Sequence, residues 1–191
     1  YFIKIIAWTN NTVKALNNIV REILFGKDSE LYVIGDKIVA NKAIFTKVDG
    51  KFGKINAIQA NTSDEFTIVN VEVKEKYFIE TPDYTRERVK LYLKYWSLTA
   101  EKPNKEKITL SVIHQDSRAT YDELLKELKK KAQKARLSTL WMLYYDVMKW
   151  EADIVHNYAI SAHKSQGSTY KNVILIEEDL NKNTKIVERN R

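Results

Sequence analysis

The sequence predicts an α/β layer structure interrupted by a small all-β barrel, and three observations predict it. The chain opens strand, polar turn, helix; short β-branched segments with turn signals then fill residues 31–119; helix and strand patterns return from Thr120 onward. A lone strand and helix cannot bury their own apolar faces, so residues 1–30 are expected to join 120–191 as one discontinuous domain around the insertion.

Tyr1-Phe2-Ile3-Lys4-Ile5-Ile6-Ala7-Trp8 is the kind of apolar run found in strands buried on both faces. It starts without a Met or a signal-peptide pattern, which suggests a piece of a longer chain. Thr9-Asn10-Asn11-Thr12 offers side-chain oxygens to cap a helix, along which Val13, Leu16, Ile19, Val20, Ile23 and Leu24 form an apolar stripe before Gly26.

Strands are expected at Tyr32–Ala40, Ala43–Val48, Phe52–Gln59, Phe66–Lys74, Tyr77–Glu80 and Lys105–His114, with Asp49-Gly50 as a tight hairpin turn. Thr120 and Glu123 have capping-box spacing ahead of a stripe of Leu124, Leu125, Leu128, Ala132 and Ala135. Ser138 is placed to cap a second helix bearing Trp141, Tyr144, Tyr145 and Met148, followed by strands at Val155–Ser161 and Val173–Ile176. The Lys126–Arg136 surface reads as a solvated charged face, helical spacing assigns Trp141, Tyr144, Tyr145 and Trp150 to packing, and Trp96 in the insertion is likewise expected in the core.

With 44% hydrophobic and 30% charged residues, the composition excludes disorder and fibrous repeats. No apolar run approaches the roughly 18 residues a membrane helix needs. The absence of cysteine excludes a disulfide framework, thiolate zinc and a cysteine nucleophile, and fits a reducing cytoplasm. Three scattered histidines make no metal cluster. The net charge of +7 favours a polyanionic partner; residues 31–119 hold 15 bases and 12 acids and the rest 17 and 13, so the excess is spread.

Functional side chains are densest in Ala159-Ile160-Ser161-Ala162-His163-Lys164-Ser165-Gln166-Gly167-Ser168-Thr169-Tyr170, which follows a strand. Ligands of open α/β sheets bind at the carboxyl ends of strands. Hydroxyls, an ammonium and a glycine there suit phosphate, which takes hydrogen bonds from hydroxyls and backbone N–H groups. The plainer account is a polar connection whose Ser and Thr cap short helices.

That segment, with Val173-Ile174-Leu175 after it, resembles motif V of superfamily 1 DNA helicases, most of all the 5′-to-3′ RecD-like and phage Dda-type branch. Ser161 replaces the usual Thr and keeps its hydroxyl. Ala7-Trp8-Thr9-Asn10-Asn11-Thr12-Val13, with Leu16-Asn17 and Arg21, is similar to the strand–turn–helix near motif IV, and Trp96-Ser97-Leu98-Thr99 to the end of that branch's inserted SH3-like barrel. The resemblance implies most of a RecA-like second motor domain with an SH3-like insertion, single-stranded DNA as partner, and a first motor domain of the same chain supplying the ATP and Mg²⁺ site. It further implies that Thr9, Asn10, Ser161, His163 and Lys164 face the DNA backbone, and that Gln166, Gly167, Ser168 and Thr169 face the nucleotide.

No Gly-x4-Gly-Lys-[Ser/Thr] loop and no Asp-Glu pair in Walker B position occurs, and no motif VI arginine is recognisable. Glu178-Asp179 reads as solvated, and so do Arg189 and Arg191 on a polar helix over Asn181–Arg191. These residues alone are therefore expected neither to hydrolyse ATP nor to unwind DNA. The alternative from another class is a non-enzymatic module binding single-stranded nucleic acid.

Overall fold

Ile3, Ile5, Ile6 and Ala7, interrupted only by Lys4, form a strand that becomes the centre of a parallel sheet. The computed structural model describes residues 3–50, 53–80 and 89–181. Along the chain the elements are β1 (Ile3–Ala7), α1 (Asn10–Phe25), β2 (Lys37–Ala40), β3 (Ile44–Gly50), β4 (Gly53–Ala60), β5 (Glu65–Glu80), β6 (Val89–Glu101) and β7 (Lys107–Ile113). There follow α2 (Gln115–Ala135), α3 (Ser138–Met148), β8 (Ile154–His156), β9 (Ala159–Ser161), α4 (Ala162–Ser165), β10 (Asn172–Leu175) and α5 (Glu177–Leu180). Residues 182–191, which include Arg189 and Arg191 and nearly all of the expected polar helix, lie outside the described part.

The parallel sheet has the order β10-β1-β9, with Ile5 opposite both Ile174 and Ala159. A second, antiparallel sheet has the order β7-β6-β5-β2-β8, and β3 and β4 form a separate ribbon. Among the described residues no sheet closes on itself. Tyr32, Ile38, Ile44, Ala60, Phe66, Ile68, Trp96, Leu98 and Leu110 form the core between the five-stranded sheet and the ribbon. Leu93 and Ile113, on the opposite face of the same sheet by the period-2 alternation of a strand, pack with Tyr121, Leu128, Leu143 and Val147 of the α2–α3 hairpin. Helices 115–148, expected beside β1, thus cover the antiparallel sheet.

Several boundaries differ from the sequence reading for local reasons. Asp49 pairs with Lys54 and Gly50 with Gly53, so Asp49-Gly50 belong to the ladder and the connection falls on residues 51–52, outside the described part. β5 is continuous through Glu80, because its partner β6, an unanticipated strand, pairs with it from Thr67 to Glu80, in one register from Asn70 onward after a shift between Ile68 and Asn70. α2 starts ahead of Thr120, capped by His114, whose Nδ1 accepts from the Asp116 amide at 3.2 Å. In α3 the buried stripe is Leu140, Leu143 and Val147. Trp141, Tyr144 and Tyr145 instead form an aromatic cluster on its flank, with Tyr145 exposed and Tyr144 partly packed. Trp96 is buried, as expected, and Trp150 packs edge-on against Tyr95.

The α1 stripe also departs from expectation. Thr9 caps the helix and Gly26 ends it at φ +91, a conformation only glycine takes without strain. Yet the residues α1 buries are Asn17 and Arg21, while Ile19, Ile23 and Leu24 are exposed. β9 is the sheet edge, and an edge strand needs partners for its outward backbone groups. Asn17 supplies them: its Oδ1 accepts from the Tyr158 and Ala159 amides at 2.9 and 3.0 Å, and its Nδ2 donates to the Ala159 and Val13 carbonyls at 3.0 Å each.

The single strand expected at Val155–Ser161 divides between the two sheets: β8 pairs antiparallel with β2, and β9 parallel with β1. Asn157 and Tyr158 are the joint. Beside it Asp36, wholly buried, accepts from Arg21 Nε at 2.8 Å and from the Tyr158 hydroxyl at 2.8 Å, with His156 Nε2 at 3.4 Å. Tyr158 also accepts from the Lys37 amide at 3.1 Å. Burial opposes ionisation of Asp36, but His156, the Tyr158 hydroxyl and Arg21 together hold its carboxyl below the ordinary range. Burial, reinforced by Asp36, pushes the Tyr158 hydroxyl upward and keeps it a donor. Tyr158→Phe removes one donor and one acceptor and is expected to cost about 1 to 3 kcal/mol, read as a lower denaturation midpoint at unchanged m-value.

Candidate nucleic-acid interface

Because β1 and β9 are parallel neighbours with Ala7 opposite Ser161, both strands end at the same sheet edge. Thr9-Asn10 and Ser161–Lys164, some 150 residues apart in sequence, are therefore brought side by side there. Their side chains differ in what they offer a ligand. The Thr9 hydroxyl is committed inward: it accepts from the Thr12 amide at 3.2 Å and donates to Asp179 Oδ1 at 3.1 Å. Asn10 is exposed on the first turn of α1.

Ser161 is buried and precedes α4 without a side-chain capping bond. His163 is exposed and its ring lies 4.6 Å from that of Trp8, tilted by 41°. Lys164 reaches across to the antiparallel sheet and donates to Asn41 Oδ1 at 2.7 Å; Asn41 in turn donates to Asp153 Oδ1 at 3.1 Å. Imidazole, indole and ammonium thus share one surface, which suits a chain of phosphates carrying stackable bases.

Asp179 organises this edge, and it is a correction to the sequence reading: Glu178 is exposed, but Asp179 is 2% exposed. Its Oδ2 accepts from the Trp8 and Thr9 amides at 2.8 and 2.7 Å, and its Oδ1 from the Thr9 and Thr12 hydroxyls at 3.1 and 2.8 Å. A carboxylate at the first turn of a helix satisfies otherwise orphaned donors and complements the helix dipole. Its place within one turn of the end of an apolar strand is the available signal.

No protein-family model matches the chain, and no curated protein matches it.

Gln166, Gly167, Ser168 and Thr169 form the exposed crossover from α4 toward β10. Gly167 has φ +82 with open space where a Cβ would stand, and the Ser168 amide is taken by the Ser165 carbonyl at 3.1 Å. Three polar side chains on an open surface suit phosphate oxygens, and these residues do not by themselves enclose a ligand. They lie apart from Ser161, yet α4 joins the two groups within one turn.

Behind β1, Lys4 is wholly buried, donating to the Asn157 carbonyl at 2.8 Å and to Glu65 Oε1 at 3.1 Å. Burial lowers its pKa, against the pull of Glu65. This ammonium joins the two sheets under the site and does not reach its surface. Among the described residues no helix is long and apolar enough to cross a membrane.

Proposed function

We propose that the chain is part of an ATP-dependent DNA helicase of superfamily 1, comprising most of a RecA-like second motor domain with an inserted SH3-like module, and that its sheet edge grips single-stranded DNA. The observation that carries this is the convergence of Thr9-Asn10 with Ser161–Lys164 at the carboxyl ends of two parallel strands. In this reading His163 and Lys164 hold the strand, Gln166–Thr169 meet ATP bound with Mg²⁺ on the first motor domain, and α4 couples the two. The short link gives a route by which nucleotide-driven closure shifts the DNA grip. In this reading the inserted module is built on β2–β7.

The test is fluorescence anisotropy of a labelled oligo-dT against the chain over a salt series. Binding is expected to weaken about 0.7 log units per log unit of salt for each phosphate neutralised. His163→Ala with Lys164→Ala is expected to weaken it about tenfold and to flatten that slope. Unchanged affinity in the double variant would remove the edge from the DNA path. A second reading, a strand-binding module without a motor, draws on α2 and α3, where six bases against one acid over residues 126–136 neighbour the Trp141–Tyr144–Tyr145 cluster. Loss of binding on Lys129→Glu with Lys130→Glu, but not on the edge substitutions, would favour it.

A further inference from the structure

A cleft of about 630 Å³ opens between α1 and the β2–β8 edge, and it shares Asn10, Ser161 and Lys164 with the sheet edge described above. Its volume lies within the range of pockets that hold small organic groups. The floor is apolar and fixed: Tyr32, Val39 and Ile160 are each buried. Leu31 and Val155, by contrast, are 43% and 42% exposed within it, so two aliphatic side chains face an open space.

The rim is polar and of one sign. Asn10, Lys14 and Asn18 stand at successive i, i+4 positions of α1, which puts them on one stripe of the helix facing the cleft. Asn41 and Lys164 face them from the other side. No carboxylate is among the described residues lining the cleft, although the chain carries 25 acids. Among the described residues no protein group is bonded to the side chains of Asn10, Lys14 or Asn18.

We propose that this cleft holds one nucleobase of the single strand whose backbone crosses Ser161–Lys164. The proposal rests on the DNA-gripping reading above and specifies what that grip does with the base. A base is flat and apolar on its faces, matching Leu31 and Val155, and carries donors and acceptors on its edge, matching side-chain amides that offer both. Its attached phosphate carries the negative charge for which Lys14 and Lys164 flank the mouth. A purely apolar guest would leave the Asn10 and Asn18 amides without partners, and a free anion would leave the aliphatic floor exposed.

The experiment compares oligo-dT with an abasic oligomer of equal length, by anisotropy at one salt concentration, for the unchanged chain, Val155→Trp and Asn18→Glu. The tryptophan fills the cleft; the glutamate, on an exposed helix position, puts a negative charge that repels the strand's phosphate at its rim, and thermal melting checks that each variant folds. The unchanged chain is expected to bind oligo-dT about tenfold more tightly than the abasic strand, the size of one stacked base. Val155→Trp is expected to abolish that preference while abasic binding stays within about twofold. Equal binding of the two strands by the unchanged chain overturns the base pocket and leaves the backbone grip standing. A preference that survives both substitutions places the base elsewhere, against Trp8 and His163 for example, and also overturns it. Binding of neither strand overturns the DNA reading itself, and the pocket with it.

Discussion

Asp36→Ala is expected to destabilise the chain by about 3 to 5 kcal/mol, because it leaves the buried Arg21 guanidinium without its counter-charge and the Tyr158 hydroxyl without its acceptor. For a chain of this length that corresponds to a fall of roughly 6 to 20 °C in Tm. The effect is large because Asp36 sits where α1, the start of β2 and the β8–β9 joint meet, so that the loss loosens both sheets together. Asp36→Asn keeps an acceptor for Tyr158 and loses the charge, and is expected to fall between the wild type and alanine. The same carboxylate predicts an acid limb. Its folded pKa lies below the unfolded value of 3.8, so its contribution is present above about pH 4 and is lost as pH falls through the folded pKa. Chemical denaturation at pH 7 and pH 3 checks this: the gap between wild type and Asp36→Asn should narrow at the lower pH, and a constant gap would refute it.

Asp179→Ala is the second large effect, expected at about 2 to 4 kcal/mol. Four donors lose their acceptor at once: the Trp8 and Thr9 amides and the Thr9 and Thr12 hydroxyls. The consequence reaches beyond stability. Those donors shape the turn that aims Trp8 and Asn10, and Trp8 in turn backs His163. The variant is therefore expected to bind oligo-dT several-fold more weakly at a temperature where it is still folded. Tyr158→Phe, which also destabilises, leaves this turn intact and should bind normally. Equal weakening in both variants would mean that the loss reflects general instability and not the turn.

How far residue order alone reaches can be seen at individual positions. The Thr9 cap and the Gly26 stop were legible because capping is a local matter of one side chain and one dihedral angle. β6 was missed although Leu91, Leu93 and Tyr95 alternate on one face; the interleaved Lys and Tyr read as polar because nothing local says that their face lies open at the end of a sheet. In α3 the stripe was displaced onto Trp141, Tyr144 and Tyr145 because large rings dominate any hydrophobic count, whereas the packed hairpin has room for Leu140, Leu143 and Val147.

By itself, then, the sequence determined the strand–turn–helix opening, the crowded polar segment after β9 and the residue types able to meet phosphate, because each depends on neighbours a few positions away. Tertiary structure decided the rest. It split residues 154–161 between two sheets, turned Asn17 of α1 inward to complete the β9 edge, and buried Asp179 against the α1 turn. The physical reason is common to all three: a buried backbone or charged group must find a partner, and here each partner lies more than 100 residues away along the chain, where no local pattern can show it.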